Sequence, residues 1–132
     1  MARRGLHVTL WMAQLLLALA FGMAGSLKLT QPIAKLAAQM PWTPDVPLLL
    51  VRFIGLAEAA GALGLILPAA TRIRPRLTPL AALGLATIMV LAAAFHISRG
   101  EFKVLPLHAV LGGLAAFVAW GRLTRAPVPE RG

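Results

Sequence analysis

Glu58 lies inside an apolar run, PLLLVRFIGLAEAAGALGLILP from Pro47 to Pro68, where Arg52 is the only other charged residue. At about 1.5 Å per residue from Leu48, the carboxyl is about 15 Å along a helix, half of a hydrocarbon core about 30 Å thick. An ionised acid at that depth costs about 2.5 to 3.5 kcal/mol on insertion scales. It must therefore face other helices, be paired, or take up a proton. Arg52 is only about 6 Å from the Leu48 end, near enough for its guanidinium to snorkel outward. Being about 120° apart round the helix and about 9 Å apart along it, the two do not pair within one helix. Gly55, Gly61 and Gly64 flank the acid and leave room beside it for another helix, water or a ligand.

The other groups able to do chemistry stand near the ends of apolar runs. Lys28 follows the first run and reads as a snorkelling anchor, with hydrogen bonding to a ligand carbonyl as its functional alternative. His96 closes the third run, Arg99 and Glu101 occupy the turn after it, and His108 opens the fourth. So short a turn between antiparallel spans places His96 and His108 at similar depth, and they meet if they share the facing sides of the hairpin. Two histidines and a glutamate are metal-ligating types, but neither H-x-x-x-H nor E-x-x-H spacing occurs on one helix, so no metal site is expected. There is no Gly-rich phosphate loop and no Ser/His/Asp set to argue from order, so no catalytic residue is assigned. With no cysteine, the chain has neither disulfides nor thiol redox chemistry.

The elements that must position these groups are membrane spans. Of 132 residues 59% are hydrophobic, the mean hydropathy is +0.81, and only four are acidic, far from the composition of a soluble domain. Spans are expected at about 6–26, 48–67, 79–97 and 104–121, forming one all-α domain over residues 1–132, a membrane four-helix bundle. The first run is longer than the core of a cleavable signal, so it is read as a span. Its Ala18, Gly22 and Ser26 recur every fourth residue, a face on which another helix can pack closely. Gln14, alone among strongly polar side chains in that span, reads as a helix-to-helix hydrogen bond. Between the first two spans, Ile33, Leu36, Ala37 and Met40 make one apolar stripe on a short interfacial helix beginning near Pro32. Trp42 is expected at headgroup level. Pro68 is expected to end the second span, and Thr78 to cap the third with Pro79 in its first turn.

The net charge of +9 raises the question of nucleic acid. The basic residues are instead short flanks of spans without interleaved aromatics. Arg3, Arg4, Arg72, Arg74, Arg76, Arg122, Arg125 and Arg131 fall on one side of a four-span topology, against Lys28, Lys35, Arg99 and Lys103 on the other. The positive-inside rule puts both termini and the middle loop in the cytoplasm.

GSLKL at the end of the first span, RFIGLAEAAGALGLILP in the second, HISRGEF after the third and LAAFVAWGR in the fourth resemble the DoxX-like family of small four-span membrane proteins. The resemblance covers nearly the whole chain. It rests on the RxxGxxExxGxxG pattern and the HxxRGE turn, which hydrophobicity alone does not produce. It implies a four-helix bundle in the cytoplasmic (inner) membrane. The family's namesakes are associated with a thiosulfate-oxidising, quinone-reducing complex and a terminal quinol oxidase, and more distant relatives resemble cargo receptors and receptor-assembly chaperones. Its intramembrane polar positions correspond to Lys28, Glu58, His96, Arg99 and Glu101. His108 departs from the asparagine that many such sequences carry, so no family role is carried over to it.

Topology places Lys28, Arg52, His96, Arg99, Glu101 and His108 in the outer half, with Glu58 below them. They outline a cavity open to the outer side. The first reading is a subunit, not an enzyme by itself, that binds a quinone-like or other small amphipathic molecule there beside a redox partner. Glu58 accepts or relays a proton, and Lys28 or His96 hydrogen-bonds a carbonyl. No cofactor other than such a quinone is expected. The second reading is a non-catalytic assembly or anchoring subunit, or a chaperone for a partner protein, with homo-oligomerisation left open. Proton-coupled transport is weaker, for want of an inverted repeat or broken helix.

Overall fold

A computed structural model of the chain describes residues 2–131. Among the described residues the chain is all-helical, with four helices long and apolar enough to cross a membrane. Helix α1 is Ala2–Thr30, the short α2 is Ile33–Gln39, and a 3-10 turn covers Thr43–Asp45. Helix α3 is Leu48–Thr71, α4 is Leu77–Ser98 and α5 is Leu105–Trp120, continued by a π-helical turn over Gly121–Arg125. Each long helix packs chiefly on two neighbours, closing a ring in the order α1, α3, α4, α5. In α2, Leu36 of the expected stripe is buried, while Lys35, Ala38 and Gln39 are exposed.

The two ends of the bundle are built differently. Toward the end that carries Arg122, Leu10, Leu17 and Phe21 of α1 meet Leu65 of α3, Leu85 and Met89 of α4, and Val118 of α5 in one core, with alanines such as Ala62, Ala82 and Ala115 between them. Toward the end that carries Trp42, the inward residues include Ala20, Ala24, Ala57 and Ala92, and these line a cavity of about 870 Å³. One half of the bundle is packed and the other is hollow.

Glycines decide which helices touch. A Cβ on Gly25 would stand 2.7 Å from both the Ala59 nitrogen and the Gly55 carbonyl oxygen, so α1 and α3 cross backbone to backbone there. Gly61 receives Leu85 and Gly64 receives Ala81, both of α4. All three glycines around Glu58 are therefore filled by helices. Of the Ala18–Gly22–Ser26 face, Gly22 meets Ala62 of α3 in ordinary contact and Ala18 packs on the core, but the closest crossing lies elsewhere. The face borders a shallow groove on the outside of α1, because the closest contact with α3 runs through Gly25, next to Ser26.

Pro68 does not end its helix, as α3 continues to Thr71. A proline inside a helix removes the bond to the carbonyl four residues back, a defect of about 3 kcal/mol. That carbonyl belongs to Gly64, and the Thr78 hydroxyl of α4 donates to it at 2.8 Å. Thr78 accordingly lies inside α4, whose N-cap is Arg76, and repairs a neighbouring helix without capping its own.

Candidate functional site

Lys28 is buried, not snorkelling, and its ammonium donates to Glu58 Oε1 at 2.5 Å. Two features of α1 turn it inward. A helical Cβ points back toward the N-terminus, which here means down into the bundle, and the Gly25–Gly55 crossing brings the lysine against α3. Glu58 keeps only 2% of its surface. The acid in the apolar run thus has a cation from the adjacent helix in a low-dielectric setting, where removing either partner costs about 3 to 5 kcal/mol.

Arg52 has a different task from either snorkelling or pairing. Its Nη1 donates to the Lys28 carbonyl at 2.7 Å and to the Gln31 carbonyl at 2.8 Å, satisfying acceptors that the end of α1 leaves open. It fixes the backbone whose side chain reaches Glu58, and it does not line the cavity.

His96 and His108 do meet. Their ring centroids are 5.1 Å apart, inclined at 59°, and both rings line the cavity. His108 Nδ1 is 2.7 Å from the Val104 carbonyl, which can only accept, so Nδ1 carries the proton. His96 Nδ1 is 3.0 Å from Glu101 Oε1. With Glu101 ionised, that nitrogen is also the donor. Neutral rings in these tautomers each keep Nε2 as an acceptor, and neither Nε2 is engaged by a protein hydrogen bond among the described residues.

Glu101 is shared. Arg99 Nε donates to it at 2.9 Å, and Arg99 Nη2 donates to Asp45 at 2.7 Å. The Arg99 hydrogen bond first, and that of His96 second, hold the Glu101 carboxyl below the ordinary carboxylate range. Arg99 is correspondingly held above its ordinary value by Asp45 and then Glu101. The Asp45–Arg99 bridge ties the α1–α3 connection to the α4–α5 turn across the hollow end. Trp42 lies in the same strap, edge-on to Phe95 at 5.9 Å and to His96 at 6.3 Å, with the Lys28 ammonium 5.9 Å from its ring.

Lys28, Glu58, His96, His108 and Glu101 therefore line one cavity, while Arg52 and Arg99 stand behind it. Chemically the wall offers remaining ammonium donors, two carboxylates and two imidazole acceptors around an otherwise mainly apolar space. Among the described residues no group of three or more His, Cys, Asp and Glu side chains is placed to hold a metal ion.

Trp42, Phe95 and Asp45 belong to this arrangement and were not singled out from the sequence as site residues. Asp45 carried one signal, as one of four acids in a basic chain. A second polar cluster, at the other end, had none. Arg122 reads as a cytoplasmic flank, yet it is 3% exposed. The π turn, closed by the Ala126 N–H on the Gly121 carbonyl, accompanies its inward placement. Its Nε donates to Gln14 Oε1 at 2.8 Å, its Nη1 to the Ala126 carbonyl and to His7 Nδ1, both at 2.9 Å, and the guanidinium lies 5.8 Å from the Trp11 ring. Gln14 in turn donates to the Leu65 carbonyl at 2.7 Å, the interhelical bond its position implied.

No curated protein and no solved structure matches the chain. A profile of the DoxX-like family matches residues 12–118, from within the first span to within the fourth, and the chain, a multi-pass membrane protein by its four apolar helices, belongs to that family.

Proposed function

We propose that the hollow half of the bundle is a binding site for a quinone-like molecule, and that the protein serves as a non-catalytic subunit presenting this molecule to a redox partner. The observation that carries the reading is the cavity itself. About 870 Å³ lies within the usual range for ligand pockets of roughly 300 to 1,000 Å³. Its walls are mainly apolar, and its few polar groups converge from α1, α3, α4 and α5. These groups fit a ring bearing carbonyl or hydroxyl oxygens. Lys28 has N–H groups left after its bond to Glu58, and the Nε2 atoms of His96 and His108 accept from hydroxyls. A bound quinone would supply the reversible electron chemistry for which this chain has no thiol. The chain's residues would orient the ring, with Glu58 as a base for a proton.

The arginines that close the packed end support placing that end, and both termini, in the cytoplasm of a cell whose inner membrane holds the protein. The cavity then faces the outer side. A reporter fused after Arg125 is expected to be active on the cytoplasmic side, and activity only outside would reverse this orientation.

The binding test uses purified protein in lipid nanodiscs and a tail-less dimethoxy-methyl-benzoquinone, read by quenching of Trp42 with Trp11 and Trp120 replaced by Phe. Saturable quenching is expected, weakened at least about tenfold in Glu58→Gln or in the neutral pair Lys28→Met/Glu58→Leu, as loss of one or more hydrogen bonds implies. A protein that does not bind, or a neutral pair that binds equally well, leaves the Lys28–Glu58 bridge as a device of helix register. The protein is then read as an assembly or anchoring subunit.

A further inference from the structure

The cavity has a side as well as an end. In the hollow half the helices stay together as two pairs, α1 with α3 through Gly25 and Gly55, and α4 with α5 through His96 and His108. The direct glycine contacts between α3 and α4, Gly61 with Leu85 and Gly64 with Ala81, lie in the packed half. Along the seam between α3 and α4, cavity-lining residues are also exposed on the outside of the bundle. Phe53 is 65% exposed on α3, and Leu91 is 65% exposed on α4. On the opposite seam Leu107 of α5 is exposed, but α1 contributes no exposed lining residue. Phe53 is about 7.5 Å inside the start of α3 and Leu91 about 10 Å inside the end of α4, so this rim stands at hydrocarbon depth. The end of the cavity is meanwhile crossed by the strap that Asp45 and Trp42 fasten to α4.

We propose that the ligand is a single-tailed lipid with an uncharged ring head, and that its tail runs out between Phe53 and Leu91 into the leaflet on the Trp42 side. This rests on the ligand reading above and names the class of molecule. The head is uncharged because the buried part of the wall has no spare charge. Lys28 is neutralised by Glu58, Arg99 behind the wall is taken by Asp45 and Glu101, and Lys103, the remaining cation of the lining, is exposed. A phosphate head drawn in beside Glu58 would be desolvated without a counter-charge. The tail leaves sideways because exposed apolar side chains border the seam at a depth where no water competes, and a lipid using it never leaves hydrocarbon.

The test is a photolabel, the same benzoquinone ring carrying a decyl tail with a terminal diazirine, irradiated with the full chain in nanodiscs and mapped by peptide mass spectrometry. Label on residues 50–53 and 91–95, lost when excess unlabelled decyl-benzoquinone is added, is the expected result. Competed label at Phe21 and Met89 would put the tail in the cavity floor and overturn the proposal. Label at Ala24 and Leu107 would put it in the other seam and overturn it equally. If the tail-less ring quenches Trp42 saturably but the decyl form gives no competed label, the tail is excluded, and the inference falls while the ligand reading stands. If neither form binds, both fall.

Discussion

Lys28 gives its ammonium to Glu58 at 2.5 Å and its own carbonyl to Arg52 at 2.7 Å, so one residue of α1 is held at both ends by two charged residues of α3. The helix pair is locked in rotation by the ion pair and in height by the arginine. The backbone contact at Gly25 and Gly55 allows both. The charges that look most like chemistry thus also set the register of the wall in which they sit.

Single replacements at this pair should be worse than the double. Lys28→Met or Glu58→Leu leaves one buried charge unmatched and is expected to lower stability by about 3 to 5 kcal/mol, whereas the two together lose much less. Unfolding by dodecyl sulfate titration in mixed micelles measures this. Additive losses would mean that the ion pair is not coupled.

Gly25→Ala should break the α1–α3 crossing, because its methyl meets backbone atoms that cannot rotate away. A loss of at least about 1 to 3 kcal/mol is expected from overpacking. Gly84→Ala is the control. Nothing lies within 4 Å of a Cβ there, so the substitution should be neutral or gain up to about 1 kcal/mol from helix propensity. Equal effects at the two sites would refute the crossing.

Thr78→Val should cost about 1 to 3 kcal/mol by leaving the Gly64 carbonyl unpaired beside Pro68. In a Pro68→Ala background the restored N–H reclaims that carbonyl, and the cost of Thr78→Val should fall to a fraction of its value. A Thr78→Val cost independent of residue 68 would show that the hydroxyl does not stand in for the missing bond.

The strap should loosen in acid. Arg99 and then His96 hold the Glu101 carboxyl below its ordinary value, so its contribution is complete above the unfolded carboxylate pKa of about 4.3. It fades as pH falls below that and through the lowered folded value, because a depressed acid must take up a proton to be released. The melting temperature of the protein should exceed that of Glu101→Gln near neutral pH and converge with it toward about pH 3. Arg99 stays charged throughout, so a gap that widens in acid would contradict the arrangement. Hydrogen exchange of residues 40–46 should rise over the same interval.

How much of this was legible depends on the kind of force involved. Hydrophobicity and length are properties of a segment, so the four spans, the short helix after Pro32 and the membrane setting follow from the sequence alone. The buried position of Glu58 and the similar depth of His96 and His108 followed too, since a carboxyl in an apolar run has few choices and a short turn leaves little freedom. Topology sets Lys28 and His96 above the acid as its company, and the tertiary structure chooses the lysine. Lys28 reads as an anchor until α1 is known to extend to Thr30 and to touch α3 at Gly25.

The same limit applies to Pro68, Arg122 and the cavity. Pro68 breaks a helix by local rules, and only a hydroxyl from α4 lets α3 run on to Thr71. Arg122 looks like any arginine after a span, and a π turn of one further residue accompanies its burial against Gln14 and His7. The sequence by itself determined which segments enter the membrane, because transfer free energy is summed along the chain. The tertiary structure alone decided which half of the bundle is packed and which is hollow. That outcome depends on how side-chain volumes from four helices add up at each level, a sum over neighbours in space.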